Sequence, residues 1–490
     1  MHTSTSLFIN GVAQPATGGA VYDIHNPARP LEQVGSAAAA SLSDVDAAIE
    51  AANAAGKGWS KLSIDERAAY LLQIADQLNK DADEVEARTR LFTREHGKTL
   101  FETTIEINRL VDRFRQVAGF ADQLKEERRI GGPMFETLVA RHARGVTTLI
   151  VPWNWPLAIL GSKLPQALLA GNTVVIKLSE QSSLAPAQTI LKIAQMLPKG
   201  VVNLITGDGT VIGDRLVGHP LVRQVNFTGS IPIGRHVMQV AAQNLTPMTL
   251  ELGGNDPGIL LDDVELGPAF FKKLMMSAFL TSGQICMALK RLYVPRALFD
   301  DVIDGLSEVL ASQVVGDGLK EGVNFGPLNN RKQQQIVQTM LDEAEAKKQS
   351  VRYLGQIEDE DDFAAGYFLR PSLIIDADPD LSAVRDEQFG PTLPVLPYDS
   401  IDEVIEMAND SSYGLSSSVW SEDPARALAL ARQLEAGFTN INGHGPTAMD
   451  GLSPFGGVKQ SGIGRNFGLE GILQFQELHS ISAPKDMLAQ

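Results

Sequence analysis

Apolar positions in the first hundred residues fall three and four apart. In DVDAAIEAANAAGKGW (44–59) and SIDERAAYLLQIADQLNKDADEVEARTRLFTREHGK (63–98) that spacing lines one helix face, so both stretches are predicted helical. Ser63 followed by Glu66 gives the second a capping box. After Gly145 the rhythm changes. GVTTLIVP (145–152), NTVVIKLS (172–179), VVNLITGD (201–208) and RQVNFTGS (223–230) are apolar on successive residues and alternate with helical stretches. Such runs suit parallel strands covered on both faces, and the alternation predicts a doubly wound α/β unit. Gly171 and Gly200 each follow a helical pattern, where a left-handed cap belongs.

A second α/β series follows Cys286. KRLYVP (290–295) leads into LFDDVIDGLSEVLASQ, LPVLPY (393–398) into IDEVIEMAN, and SSSVWS (416–421) into PARALALARQLEAG and then FTNIN. The acidic EDEDD (358–362) between them reads as a solvated loop. Two α/β layers meeting at a cleft suit a cofactor domain facing a catalytic one.

A chain of 490 residues is long enough for about three domains of ~150 residues. Its net charge of −17 argues against nucleic acid and anionic membranes as partners. The start, MHTSTSLFING, lacks the basic and then apolar pattern of a signal peptide. No run reaches the ~18 apolar residues of a membrane span; the nearest, around Leu149 to Leu160, is broken by Pro152, Asn154 and Pro156. The expectation is a soluble cytoplasmic protein. The eight histidines show no metal-ligand spacing and one cysteine cannot build a thiolate zinc site, so no metal is expected.

That one cysteine lies in TSGQICM (281–287). It is either a small buried hydrophobe or a nucleophile that needs a base and an anion-stabilising pocket. A free thiol of pKa ~8.5 is mostly protonated at neutral pH, so activation by its surroundings would raise the rate. In PWNWP (152–156), two prolines stiffen a turn at the carboxyl end of a predicted parallel strand, where such sheets bind ligands. The amide of Asn154 could donate to a developing oxyanion or satisfy its own turn. MTLELGGNDP (248–257) sets Glu251 beside Gly253 and Gly254, as a surface turn or as a base whose pKa burial would raise. Ser230 can cap a helix opening IPIGRHVMQVAAQ, whose free N–H groups attract phosphate, and Pro232 is tolerated in its first turn. Gly207, Gly209 and Gly213 imitate a dinucleotide fingerprint, but the third glycine comes one residue late.

In order along the chain, PWNWP, ELGG (251–254), GQxC ending at Cys286, EQFGP (387–391) and PFGGVKQSGIGR (454–465) resemble the aldehyde dehydrogenase superfamily, from FING (8–11) almost to the C-terminus. The resemblance implies an α/β fold with a Rossmann-type NAD-binding domain (1–121 and 144–252), a catalytic domain (253–473) and a small oligomerisation sheet (122–143 and 474–490). By the same resemblance Cys286 is the nucleophile, Glu251 the general base, Asn154 the oxyanion donor and Lys163 a buried lysine near the thiol. Lys177 and Glu180 would hold the adenosine ribose, Gly229 and Ser230 the pyrophosphate, and Glu387 and Phe389 the nicotinamide ribose and ring. Pro152, Trp153 and Gly253 complete the cofactor site. A carboxylate such as Glu180 would repel a 2′-phosphate, which favours NAD over NADP.

Trp155, Ala158, Ile159, Ser162, Ile285, Met287 and Phe455 would line the aldehyde tunnel. No arginine is among them, so an apolar aliphatic or aromatic aldehyde is expected before a semialdehyde acid. The implied reaction is oxidation to the carboxylic acid through a thiohemiacetal and a thioester, in a homodimer or homotetramer. Leu178, Thr281, Asn466 and the Asn255–Asp256 pair depart from the family pattern, none where acyl chemistry is expected. The alternatives are a CoA-acylating dehydrogenase, against which Glu251 speaks, and a cysteine esterase or structural protein. The last two would leave Lys177, Glu180, Glu387 and Phe389 idle.

Overall fold

The computed structural model describes residues 3–485 together with Met487 and Leu488. Met1 and His2, at the head of the stretch read for a leader, and Asp486, Ala489 and Gln490 of the segment 474–490 lie outside the described residues.

Two sheets carry the molecule. The first runs Gly462–Ile463, Met248–Glu251, Val222–Thr228, Val146–Ile150, Thr173–Lys177, Val202–Ile205, Leu7–Ile9, Val12–Gln14, and its five central strands are parallel. From Val146–Ile150 the chain winds outward to Thr173–Lys177 and Val202–Ile205, then returns to the other side at Val222–Thr228. The sheet therefore has a switch point beside Val146–Ile150, the position where open α/β sheets bind ligands at their carboxyl ends. Both faces are covered: Val174 and Ile176 point into one core and Val175 into the other. That is why the strand reads as an unbroken apolar run.

The second sheet runs Ser350–Tyr353, Ser372–Ile375, Thr392–Tyr398, Leu289–Pro295, Asp256–Leu260, Ser416–Trp420, Phe438–Ile441, parallel except at its first pair. Leu292 and Val294 face one core and Tyr293 the other. A third, antiparallel sheet joins Arg128–Gly131, Phe135–Ala143 and Gln476–Pro484, in register from Gln476 opposite Ala143 to Pro484 opposite Phe135. Among the described residues no helix is long and apolar enough to cross a membrane.

Several local expectations are met. Ser63 and Glu66 form the capping box of Ile64–Gln77, and Gly171 and Gly200 adopt φ of 94° and 80°. Others need correction. The stretch 63–98 breaks into Ile64–Gln77 and Ala82–His96, because the Asp81 side chain accepts from the N–H groups of Asp83 and Glu84 and starts a new helix. EDEDD is not a plain solvated loop. Asp359 caps a short helix, Glu360–Ala365, whose first turn gathers the acids that a helix N-terminus favours, and Asp362 pairs with Arg29 at 2.8 Å.

Candidate active site

Cys286 follows a turn, Leu280–Gly283, that explains the residues set before it. Thr281, Ser282 and Gly283 are consecutively left-handed, with φ of 55°, 52° and 74°, at a cost of about 1–3 kcal/mol for each non-glycine residue. Three bonds hold the turn. Thr281 N donates to Glu102 Oε1 at 2.5 Å, Trp155 Nε1 donates to Thr281 Oγ1 at 2.9 Å, and Ser282 Oγ donates to Gly326 O at 2.8 Å. A Cβ at Gly283 would lie 2.2 Å from Gly390 O, so only glycine fits. Gln284 ties the turn to its surroundings: Nε2 donates to Thr281 O at 3.0 Å and Oε1 accepts from Asn329 N at 2.9 Å.

The backbone oxygen of Gln284 accepts from Asn154 Nδ2 at 2.9 Å, which fixes the Asn154 amide beside the cysteine loop. A second N–H of that amide remains for another acceptor. Glu251 ends strand Met248–Glu251, is buried, and its Oε1 has no partner among the described residues. Burial raises its pKa to about 8, against the pull of Lys163 and Arg465. Burial in turn lowers Lys163 to about 8, opposed by the charges of Glu251 and Cys286. Lys163 Nζ donates to Asn226 Oδ1, and Asn226 Nδ2 to Asn466 Oδ1 at 3.1 Å. Asn466, a departure from the family pattern, thus reaches the site.

The surroundings do not activate the thiol. Burial pushes the Cys286 thiol well up, the carboxylates of Glu387, Glu251 and Asp256 push it further, and Lys290 opposes them. Burial also raises Glu387 to about 7, and Lys290 and the N–H of Gly254 restrain it.

Two cavities meet at Cys286, and Asn154 and Thr228 border both as well. The larger, of 470 Å³, opens at the sheet's switch point. Of the nine residues expected to hold a cofactor, Pro152, Trp153, Gly229, Ser230, Gly253, Glu387 and Phe389 line it. Trp153 and Phe389 meet edge to face at 5.5 Å. Gly254 N donates to Glu387 Oε1 at 3.0 Å, and a Cβ on Gly253 would lie 2.5 Å from Glu387 Oε2.

Lys177 and Glu180 stand outside this lining, at the end of strand Thr173–Lys177. Lys177 Nζ lies 3.1 Å from Glu180 Oε1, which also accepts from Gly209 N at 2.5 Å. One glycine of the imitation fingerprint therefore touches Glu180. Ser230 occupies the cap position of helix Ile231–Ala242, but its hydroxyl makes no capping bond. The first-turn N–H groups stay free of that side chain. Gln333, Met340 and Tyr413 also line the cleft and were not foreseen.

The smaller cavity, of 100 Å³, is lined by all seven expected tunnel residues and by Glu251. Its wall also contains two arginines, Arg109 and Arg113, from helix Leu100–Ala118. The expectation of a lining without arginine is corrected: this helix crosses the tunnel, and no motif marks it. Its residues Glu102, Glu106, Arg109 and Arg113, spaced four, three and four apart, share one face. Glu106 Oε1 accepts from Leu157 N at 2.7 Å and Ala158 N at 3.1 Å, starting the helix Pro156–Gly161 that carries Ala158 and Ile159. That charged spacing beside an apolar stripe was the available signal. Among the described residues no group of three or more His, Cys, Asp or Glu side chains could hold a metal ion.

The thiol thus stands where a switch-point cleft and a side-chain-lined tunnel meet. The model of the aldehyde dehydrogenase family matches residues 14–481, and the chain belongs to that family. The Bacillus subtilis protein DhaS is 34% identical over 481 residues, 97% of this chain and 94% of its own length. The structure of betaine aldehyde dehydrogenase from Staphylococcus aureus in complex with NAD+ superposes with a TM-score of 0.92 at 32% identity, covering 99% of this chain and 96% of that one. An NADP-dependent enzyme from E. coli gives the same TM-score at 31% identity, with 98% of each chain covered.

Proposed function

We propose that this chain oxidises an aldehyde to a carboxylic acid with NAD, by a covalent route that ends in hydrolysis. The observation that carries the proposal is the place of Cys286 at the meeting of two cavities, with the partnerless Glu251 carboxyl facing the tunnel side.

The larger cleft suits a dinucleotide. The helix start at Ser230 leaves N–H groups for phosphate oxygens, the bare backbone of Gly253 lets Glu387 pack against it, and Glu387 and Phe389 line the same cleft as the thiol. When bound, NAD accepts the hydride. The same fold serves an NADP-dependent neighbour, so the choice between cofactors falls to side chains. Glu180, already an acceptor from Lys177 and Gly209, suits ribose hydroxyls and would repel a 2′-phosphate.

Cys286 adds to the aldehyde carbon. The free N–H of the Asn154 amide and the Cys286 backbone N–H receive the oxyanion. Ionising the thiol is hard while Glu251 and Glu387 are charged, so their raised pKa values matter: near neutral pH both are partly protonated and repel a thiolate less. After hydride loss leaves a thioester, Glu251 in its carboxylate form takes a proton from water, and attack of that water releases the acid. Lys163 sits where its charge steadies the Glu251 carboxylate.

Glu251 supports hydrolysis over transfer to CoA, and the glycine-cradled cleft supports a redox enzyme over an esterase or a structural protein. We further propose that the sheet of strands 128–143 and 476–484 adds across subunits in a dimer or tetramer. Exposed Ile130, Met134, Phe135 and Leu478 on that sheet are the kind of apolar surface a partner covers. The remaining division is a cofactor domain (1–121 and 144–252) and a catalytic domain (253–473), in a cytoplasmic enzyme. Following NADH absorbance across a panel of aldehydes, with and without CoA, tests the reaction. Acid formation without CoA is expected; NADH formation only with CoA would overturn the hydrolytic route.

A further inference from the structure

Arg109 and Arg113 feel carboxylates only from a distance: the charges of Glu106 and Asp112 act on the first, and those of Asp112 and Asp450 on the second. They sit one turn apart on Leu100–Ala118 and border the same 100 Å³ cavity as Cys286. Arg113 is only 9% exposed. Among the described residues neither forms an ion pair with a carboxylate. The acids on the same helix are engaged elsewhere: Glu102 accepts from Thr99 and Thr281, Glu106 pairs with Lys98, and Asp112 lies 3.9 Å from Arg115. What the arginines do bind is neutral. Arg109 Nη2 donates to Pro446 O at 2.9 Å, and Arg113 Nη1 donates to Gln116 Oε1 and Asp450 O, both at 2.5 Å. Their guanidinium carbons lie 5.7 Å from the ring of Trp155 and 4.8 Å from that of Phe467. Burial and the neighbouring Arg109 charge lower the Arg113 pKa to about 10, against the pull of Asp112 and Asp450.

A buried charge such as that of Arg113 is normally paired, and a second cation beside it, on half-buried Arg109, adds to the cost. We propose that Arg109 and Arg113 form a carboxylate-binding pair, so that the aldehyde oxidised at Cys286 carries a carboxylate at its other end. The inference rests on the dehydrogenase reading and names its substrate class. The guanidinium fork matches the two oxygens of a carboxylate. The small cavity selects a short chain, with the aldehyde at the thiol and the acid at the arginines. The product is then a dicarboxylic acid, and the reaction that supplies the substrate must leave an aldehyde on a carboxylic acid, as deamination of an ω-amino acid does.

The two arginines also fasten the loop at Pro446 and Asp450, so loss of activity in a variant would not separate substrate recognition from support. Selectivity separates them. Wild-type kcat/KM is expected to be at least about tenfold higher for succinic semialdehyde than for butanal. In Arg109→Gln and in Arg113→Gln that ratio falls by about tenfold or more through KM, and Arg113→Lys recovers part of it. A ratio near one in the wild type, or variants that lower both substrates equally, would overturn the proposal and leave the dehydrogenase reading standing.

The single thiol allows a second measurement without turnover. With NAD filling the larger cleft, iodoacetate should alkylate wild-type Cys286 faster, relative to iodoacetamide, than it alkylates a free thiol. Arg109→Gln should remove that preference. A preference absent from the wild type, or unchanged in the variant, counts against the pair even if no aldehyde yields NADH. Absence of NADH with every aldehyde would instead overturn the dehydrogenase reading.

Discussion

The two cavities that meet at Cys286 are built from different material. The larger joins turn and helix-start positions at Pro152, Gly229, Ser230 and Gly253 to side chains such as Trp153, Met340, Glu387 and Phe389. The tunnel is walled by side chains from helix Leu100–Ala118, the turn helix Pro156–Gly161, the cysteine loop and the stretch 446–467. Binding at such turns suits a cofactor that is the same in every turnover. Side-chain binding lets selectivity change by substitution while the fold stays as it is. The cysteine belongs to both walls.

Cys286→Ala strikes both cavities at once. It should lower turnover by at least about ten-thousandfold while NAD still binds, measured as NADH formation and by cofactor titration. Near-normal turnover would remove the thiol from the chemistry altogether.

Glu251→Gln belongs to the tunnel side and should cut steady-state turnover by about a thousandfold. A rapid burst near about one equivalent of NADH should survive, because the first hydride transfer precedes the step that needs a base. Burst and steady rate falling together would place Glu251 before deacylation.

The same carboxyl sets the pH dependence. A base must be ionised to work, and a pKa raised to about 8 means that thioester hydrolysis rises with pH and levels above that value. Between pH 7 and pH 9 the gain should be about tenfold. A single-turnover deacylation rate that is flat over this range would mean that the carboxyl is already ionised.

Two smaller effects belong to the cofactor side. Gly253→Ala would set a Cβ 2.5 Å from Glu387 Oε2, so KM for NAD should rise by about fivefold or more, with aldehyde selectivity unchanged. If KM for the aldehyde rose instead, the two walls would not be separate. Glu180→Gln should narrow the preference for NAD over NADP by about threefold. An unchanged ratio would move cofactor choice to other residues.

The contrast between the walls also explains what was readable. The turns of the larger cleft need glycine and proline at fixed places in short contiguous motifs, so PWNWP, ELGG and EQFGP stood out. The alternation of strand and helix was readable because the strands are apolar on both faces. Arg109 and Arg113 were not readable, since their relation to Cys286 exists only once helix Leu100–Ala118 is packed. The Glu102, Glu106, Arg109, Arg113 spacing marked one helix face, but nothing local said what that face would meet. The unused cap of Ser230 and the unfavourable setting of the thiol were hidden for a related reason. Both depend on which polar groups lie near in space, and sequence neighbours do not report that.

The antiparallel ladder between Phe135–Ala143 and Gln476–Pro484 bears on how the chain comes into being. His142 bonds His479 across a separation of 337 residues, and Asn172, just before the second parallel strand, donates to Phe475 O at 2.8 Å. On a ribosome the parallel strands from Val146–Ile150 to Met248–Glu251 can therefore pair early, while Phe135–Ala143 waits with an open edge until Gln476–Pro484 has been made. Joining ends so far apart costs little more than joining nearer ones, because closure entropy grows slowly with loop length, but it delays the contact. Until Gln476–Pro484 arrives, that waiting edge is an unpaired template for other chains. A chain stalled before Gln476 would hold its parallel strands but carry that exposed edge, so the pairing of Gln476–Pro484 is the moment at which the edge ceases to be a template.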